Sequence, residues 1–328
     1  MASVEEGTAR KPSPHGFSSF KCFPGMYPFL LISAALSACG LISASPADLH
    51  RRAVTQLSAA ELARFAPFTQ FARAAYCGTD ILSDWTCGEA CEANSDFQVS
   101  LVGGDGDAVQ IYYVGYSPSL EAIIVAHEGT DPTQLESDLT DVDIPLATLN
   151  STLFPGVSSS VEVHTGFQNE HALTADIILA EVKSLMSSVG TNNIVAVGHS
   201  LGGALAEIDT VFFRVNIPSA NISAMTYGTP RVGNPAWAAL VDSSDVNFKR
   251  IDNMQDLIPI VPGRSLGYEH PAGEIHILSP GDAVSCPGDD DATDADCQIE
   301  SVPTIFQGNI LDHLGPYEGI YIGTIYCT

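Results

Sequence analysis

The chain is poor in positive charge. Lysine and arginine together number 13 against 39 aspartates and glutamates, which leaves a formal charge of −26 over 328 residues. A field of that sign repels phosphate, so it excludes a nucleic-acid binder and attachment to a membrane through a basic patch. Charged residues of either sign are also scarce, at 16%, while hydrophobic residues make up 45%. That balance excludes a disordered chain, because there is enough apolar material for a large core. No internal repeat is visible, and no Pro/Gly/Ser linker divides the chain after residue 52. The longest apolar run, Tyr27 to Ala44, is strongly apolar over only about 15 residues, against the ~20 that a bilayer requires, and Ser and Gly interrupt it.

What is present begins with that run. Followed by small residues, it has the form of a secretory signal. The polar stretch before Met26 is long for the start of such a signal, which is accounted for if translation begins at Met26. The dibasic pair Arg51-Arg52 marks a short pro-segment. The expected organisation is therefore a signal peptide and pro-segment over 1–52 and a single domain over 53–328. Cysteine usage agrees with export. Cys22 and Cys39 fall in the removed segment, leaving Cys77, Cys87, Cys91, Cys286, Cys297 and Cys327. An even number after export favours three disulfides, in any of 15 pairings. A zinc site at Cys87 and Cys91 would need two further ligands that the neighbourhood does not supply. The sequons at Asn150 and Asn221 fit a secreted surface.

Leu57 to Tyr76 is expected to be a helix, opened by a Ser58/Glu61 capping box. Strand-like runs follow at 97–102, 108–116 and 122–126. Further on, helices at 167–186 and 201–215 alternate with strands at 193–197, 222–227 and 248–251. Alternation of this kind means a mostly parallel sheet flanked by helices. The acidic stretch 288–296, framed by Cys286 and Cys297, reads as a solvated loop, since the spacing of an EF-hand calcium loop is absent.

The chemistry sits in Gly198-His-Ser200-Leu-Gly202. A G-x-S-x-G pattern is weak alone, and Gly263-Arg-Ser265-Leu-Gly267 matches it too. Context separates the two, because a nucleophile elbow needs a strand before it and a helix after it. Ser200 has the apolar run Ile194–Val197 before it, and Leu201, Leu205, Ile208, Val211 and Phe212 at helical spacing after it. Ser265 follows a Pro-rich segment and runs into Pro271. A serine attacks only when a base takes its proton, and in this order the acid and then the histidine follow it in sequence. His199 adjoins Ser200 and cannot curl back to serve it; it is expected to pack near the elbow. His270 and His276, flanking an expected hairpin at 268–278, read as structural. His313, on a polar loop after the apolar stretch Ile305–Leu311, is the candidate base. Asp256 follows a strand, where sites in open parallel sheets lie; spacing alone separates it only modestly from Asp252.

Several of these segments resemble the filamentous-fungal class 3 lipases, a family of α/β-hydrolase fold that includes related feruloyl esterases. Val163-His-Thr-Gly-Phe is similar to its V-H-x-G-F, Gly198-His-Ser-Leu-Gly-Gly to its elbow, Thr226-Tyr-Gly-Thr-Pro-Arg-Val-Gly-Asn to its T-[FY]-G-x-P-R-V-G-N, and His313-Leu to its terminal H-L. Asp256-Leu-Ile-Pro matches its D-x-[VI]-P, which favours Asp256 over Asp252. The resemblance implies a Ser200–His313–Asp256 triad. It also implies an oxyanion hole from Thr130 and the N–H of Leu201, each such donor being worth ~3 kcal/mol. His127-Glu128 stands where many members carry Phe-Arg. The resemblance implies the bridges Cys77–Cys327 and Cys87–Cys91, leaving Cys286 with Cys297. It places a lid over 131–150, with Leu135, Leu139 and Val142 on its apolar face and Leu153 and Phe154 extending that surface. The implied protein is a secreted monomeric lipase acting on acylglycerols at a lipid–water interface. It needs no cofactor or metal, binds no nucleic acid and does not insert stably in a membrane. A feruloyl esterase and an inactive surface-binding relative are the alternatives. The acidic field is expected to raise the pKa of His313.

Overall fold

The computed structural model describes residues 54–130, 145–290 and 293–327. Among these residues a nine-stranded sheet carries the architecture. Its centre is five parallel strands: β4 (Ala122–His127), β7 (Asn193–His199), β8 (Asn221–Tyr227), β9 (Asn247–Asn253) and β10 (Glu274–Ser279). Antiparallel strands finish both edges, β3 (Tyr112–Ser117) and β2 (Gln98–Gly103) beyond β4, and β11 (Asp282–Ser285) and β1 (Thr55–Gln56) beyond β10. A small antiparallel pair, β5 (Leu146–Thr148) and β6 (Glu162–His164), stands apart.

Of the central strands, β4 and β7 are apolar on both sides, as strands covered on both faces are. One face of β4 and β7, with Ile124, Ala126, Val195 and Val197, packs on Phe71, Ala72, Ala74 and Ala75. These come from the N-terminal helical segment. The Ser58–Glu61 capping box is present, with Ser58 N donating to Glu61 Oε2 at 2.9 Å and Glu61 N to Ser58 Oγ at 3.3 Å. The expected single helix is divided into α1 (Ala59–Leu62), a 3-10 turn at Ala63–Phe65, and α2 (Ala66–Ala74). Pro67 lies in the first turn of α2, where its missing N–H costs nothing, and that fixes the break. Two short helices follow, α3 (Thr79–Ser83) and α4 (Glu89–Glu92). The opposite sheet face, with Ile123, Val125, Ile194 and Ala196, packs on α5 (Thr165–Val189), α6 (Leu201–Asn216) and α7 (Pro235–Ser243).

The disulfides are Cys77–Cys327, Cys87–Cys91 and Cys286–Cys297. Asn150 and Asn221 are both exposed. Four expectations are corrected. Leu153 and Phe154 do not extend a lid surface; they are buried in the α5–α6 core, where the Phe154 ring lies 5.7 Å from that of Phe212. The hairpin is β10–β11 at 274–285, so His276 is inside a strand, where Met254 O and Asp296 O lie within hydrogen-bond distance of its ring nitrogens. The stretch 305–311 is not a buried apolar element, since Phe306 is 92% exposed. The acidic loop is not wholly solvated, because Asp290 turns inward to accept two hydrogen bonds from Arg231, at 2.8 and 3.1 Å. The expected lid residues Leu135, Leu139 and Val142 lie outside the described residues.

Polar groups are also built into the layers. Arg250 on β9 pairs with Asp252 and, at 2.9 Å, with Glu274 on β10, which occupies Asp252 structurally. Glu207 on α6 is fully buried against Trp237 of α7, whose indole N–H donates to it at 2.7 Å, and burial pushes its carboxyl up to about 8.

Candidate active site

The parallel strands deliver the candidate residues to one end of the sheet, their C-terminal end. Ser200 follows β7 directly and caps α6. Its backbone has φ 59° and ψ −127°, a conformation that costs a non-glycine residue energy and persists only where its surroundings enforce it. The enforcement is close packing. A Cβ on Gly202 would stand 2.2 Å from His127 O, so only glycine lets α6 approach β4 this closely. Ser200 N is tied to Tyr227 O on β8 at 2.9 Å.

Asp256 lies three residues beyond β9, and His313 ends the short helix α8 (Ile310–His313) rather than sitting in an open loop. His313 Nδ1 is 2.8 Å from Asp256 Oδ2, while the other carboxylate oxygen accepts Ile258 N at 2.8 Å. Both side chains are buried. An acceptor facing Nδ1 fixes the proton there and leaves the lone pair on Nε2. That Nε2 and the Ser200 hydroxyl are both buried, and among the described residues neither has a hydrogen-bond partner. A proton-poor imidazole nitrogen and a serine hydroxyl with no competing partner are the two ends a serine-to-histidine proton transfer requires.

A surrounding frame holds these groups. His199 Nε2 donates to His313 O at 2.7 Å, which puts its lone pair on Nδ1, 2.6 Å from the Tyr76 hydroxyl. The rings of His199 and His313 lie 4.3 Å apart. Tyr317 OH also donates to His313 O, at 3.1 Å. Asp312 accepts Gln255 N at 3.1 Å, and its carbonyl accepts Asn253 Nδ2 at 2.8 Å, which docks the His313 segment on the turn after β9. Gln298 Nε2 donates to Asp256 O. Tyr317 and Gln298 carry no motif, and no local pattern in the sequence marks them.

Burial pushes His313 down to about 3, so the expected rise in an acidic field is corrected. Removal from water outweighs distant surface carboxylates. Burial pushes the Asp256 carboxyl up, while the Ile258 amide and the His313 ring N–H, both directed at it, favour the carboxylate. Thr130 lies three residues beyond the end of β4, and Leu201 opens α6. Between β4 and Thr130, Gly129 reaches the elbow itself. His270 is buried away from the triad, with its Nε2 2.8 Å from Pro259 O, and Ser265 lies in a 3-10 turn. Glu274, Cys286 and Cys297 converge closely enough for a metal, but the two sulfurs are bonded to each other, and Glu274 accepts from Arg250 and Gln298.

A strained serine between strand and helix, with a neutral, carboxylate-bound imidazole 4.3 Å from the ring of the residue before it, on a mostly parallel sheet, defines a serine hydrolase of the α/β-hydrolase fold. Comparisons with known proteins narrow this. A family profile described as Lipase (class 3) matches residues 124–266. A secreted mono- and diacylglycerol lipase of Malassezia globosa is 30% identical over 235 residues, covering 70% of this chain and 74% of the relative. Another from the same organism is 28% identical over 236 residues, covering 70% and 72%. The solved structure of lipase II from Rhizopus niveus superposes with a TM-score of 0.72 at 26% identity, covering 84% of this chain and all of that one. The chain belongs to the class 3 lipase family.

Proposed function

We propose that this chain is a secreted lipase that hydrolyses acylglycerol esters through an acyl-enzyme. The observation that carries the proposal is the buried Asp256–His313 pair, 2.8 Å apart, whose imidazole lies 4.3 Å from the ring of His199, the residue just before Ser200 at the elbow. In this reading Ser200 Oγ attacks the ester carbonyl carbon as His313 Nε2 takes its proton. The resulting oxyanion is held by the N–H groups of Thr130 and Leu201. Collapse breaks the carbon–oxygen bond to glycerol, and His313 returns the proton to the departing alkoxide. Water, deprotonated by the same nitrogen, then attacks the acyl-serine and releases the fatty acid and Ser200. Asp256 holds the imidazole in the tautomer that leaves Nε2 free.

The relatives' printed names support an acylglycerol substrate and secretion. Residues 1–52 serve as signal and pro-segment, Asn150 and Asn221 as glycan acceptors, and the segment with Leu135, Leu139 and Val142 as a lid that meets lipid. Among the described residues no helix is long and apolar enough to cross a membrane, which is compatible with action at a lipid–water interface.

The test is hydrolysis of emulsified mono-, di- and triacylglycerol, a soluble short-chain ester and methyl ferulate side by side, with Ser200→Ala as control. Preference for emulsified acylglycerol, lost in the variant, is expected. Preference for ferulate would transfer the chain to the esterase branch of the family. Failure of a fluorophosphonate to label Ser200 would make it an inactive relative.

A further inference from the structure

A second buried cluster lies behind the site, and nothing in the proposed chemistry uses it. His127, the last residue of β4, is 2.8 Å from Asp209 Oδ2 through its Nε2. His171, on α5, is 3.0 Å from Asp209 Oδ1 through its own Nε2. Asp209 is on α6, the helix that starts immediately after Ser200. All three side chains are buried, and His171 Nδ1 has no partner among the described residues. The surroundings are apolar: the His171 ring lies 5.0 Å from that of Phe212 and 5.7 Å from that of Phe154. A carboxylate only accepts, so each imidazole donates its Nε2–H to a different oxygen. Burial works against the Asp209 charge, yet the two histidines hold its carboxyl below its usual range.

Stability does not explain such a cluster, because well-packed apolar residues would do as well in this layer or better. Its place does. β4 ends at His127, and Glu128, Gly129 and Thr130 continue outside the strand. Gly129 passes so near the nucleophile that a Cβ there would lie 2.4 Å from His199 O and 2.9 Å from Ser200 Cβ. Any shift of this segment therefore moves Thr130 relative to Ser200. On its other side Glu128 is fastened to Ile111, whose N–H donates to Glu128 Oε2 at 3.1 Å and whose carbonyl accepts Glu128 N at 2.8 Å.

We infer that Asp209 is a positioning residue: with His127 and His171 it ties the oxyanion segment to the nucleophile's own helix and sets the separation of Thr130 from Ser200. The inference rests on the reading of Ser200 and Thr130 given under Proposed function. Asp209 touches no substrate, so its effect appears in the turnover step rather than in binding.

The experiment compares Asp209→Ala, Asp209→Asn and, as a control at the α6–α7 contact, Trp237→Phe. The last variant also removes a buried hydrogen bond to α6 but lies away from the oxyanion segment. On a soluble p-nitrophenyl ester, Asp209→Ala is expected to lower kcat roughly 10- to 100-fold with KM nearly unchanged. An arylboronic acid, whose tetrahedral adduct on Ser200 places an oxygen in the hole, is expected to lose affinity by the same factor. Asp209→Asn should recover part of both, because its amide oxygen still accepts from one imidazole. Retention of kcat within about threefold in Asp209→Ala would overturn the inference, and so would an equal kcat loss in Trp237→Phe at matched loss of melting temperature. If Asp209→Ala does not fold, the all-apolar variant His127→Phe/Asp209→Leu/His171→Phe replaces it, and wild-type kcat in that variant would equally overturn the inference. A wild type inert to both ester and fluorophosphonate would remove the underlying reading and this inference with it.

Discussion

The two ring nitrogens of His313 face different surroundings, and that asymmetry sets the pH response of the site. Nδ1 is committed to Asp256, while Nε2 has no partner among the described residues. Burial keeps the ring neutral down to about pH 3. A base is useful only while unprotonated, so the fraction of active enzyme should hold steady as pH falls through the range where an ordinary histidine, near 6.5, would be lost. The expected kcat/KM on a soluble ester is flat from about pH 8 to about pH 5, with its acid limb below that. A half-maximal point near 6.5 in a stopped-assay pH profile would show instead that the imidazole is hydrated in the working enzyme. Asp252, the rival acid, illustrates what spacing cannot settle. Its carboxylate is paired with Arg250, two residues before it on the same strand, so its side chain is spoken for by the core.

At the scale of elements, the loop closed by Cys286–Cys297 connects to the triad. Gln298 follows Cys297; its N–H donates to Glu274 at 2.8 Å and its side-chain amide to Asp256 O. From inside the loop, Asp290 braces Arg231, whose guanidinium also donates to Pro262 O at 2.9 Å. Replacing both cysteines by serine should lower the melting temperature by several degrees, since closing a loop of this size is worth about 2–3 kcal/mol. It should also lower kcat several-fold as the support under Asp256 loosens. Calorimetry and turnover of a soluble ester on the double variant check the two effects separately. The elements that were legible in the sequence are those with one dominant signal. Ile194–Val197 is all apolar, and α6 repeats its apolar residues at helical spacing. β10 hid because it carries Glu274 and His276 inward, where Arg250 and Gln298 satisfy the first and the carbonyls of Met254 and Asp296 the second. Leu153 and Phe154 were misplaced for the opposite reason: apolar residues beside a lid and apolar residues in a core look alike until the partner surface is known. The cluster of His127, His171 and Asp209 gave no signal, because its members are separated by 38 and 82 residues in sequence.

For the whole molecule, buried titratable groups pull stability in opposite directions with pH. His199, His270 and His313 are all held neutral by burial, below their ordinary value of 6.5. The unfolded chain binds more protons at these sites, so stability falls as pH drops from about 6.5 toward the folded values. Glu207 acts in reverse. Its folded value is about 8 against 4.5, so its contribution is fully present below 4.5 and is lost as pH rises through 8. At about 1.4 kcal/mol per pH unit, the upper bound on that loss is about 5 kcal/mol. Glu207→Gln keeps an acceptor for Trp237 and removes the titration. Its melting temperature should exceed that of the wild type at pH 9, and the difference should shrink or vanish at pH 5. Equal differences at both pH values would show that Glu207 is ionised in the folded protein throughout.

The link between Cys77 and Cys327 spans 250 positions. Every strand from β2 to β11 lies between its two ends, together with Ser200, Asp256 and His313. In topological terms the part of the chain that holds the proposed triad is a closed ring. A protease that cuts this ring once opens it without dividing it, so no fragment can diffuse away while the bond is intact. For an enzyme proposed to work outside the cell, a first cleavage then leaves one covalent particle, and only a second cut or a reductant converts it into two.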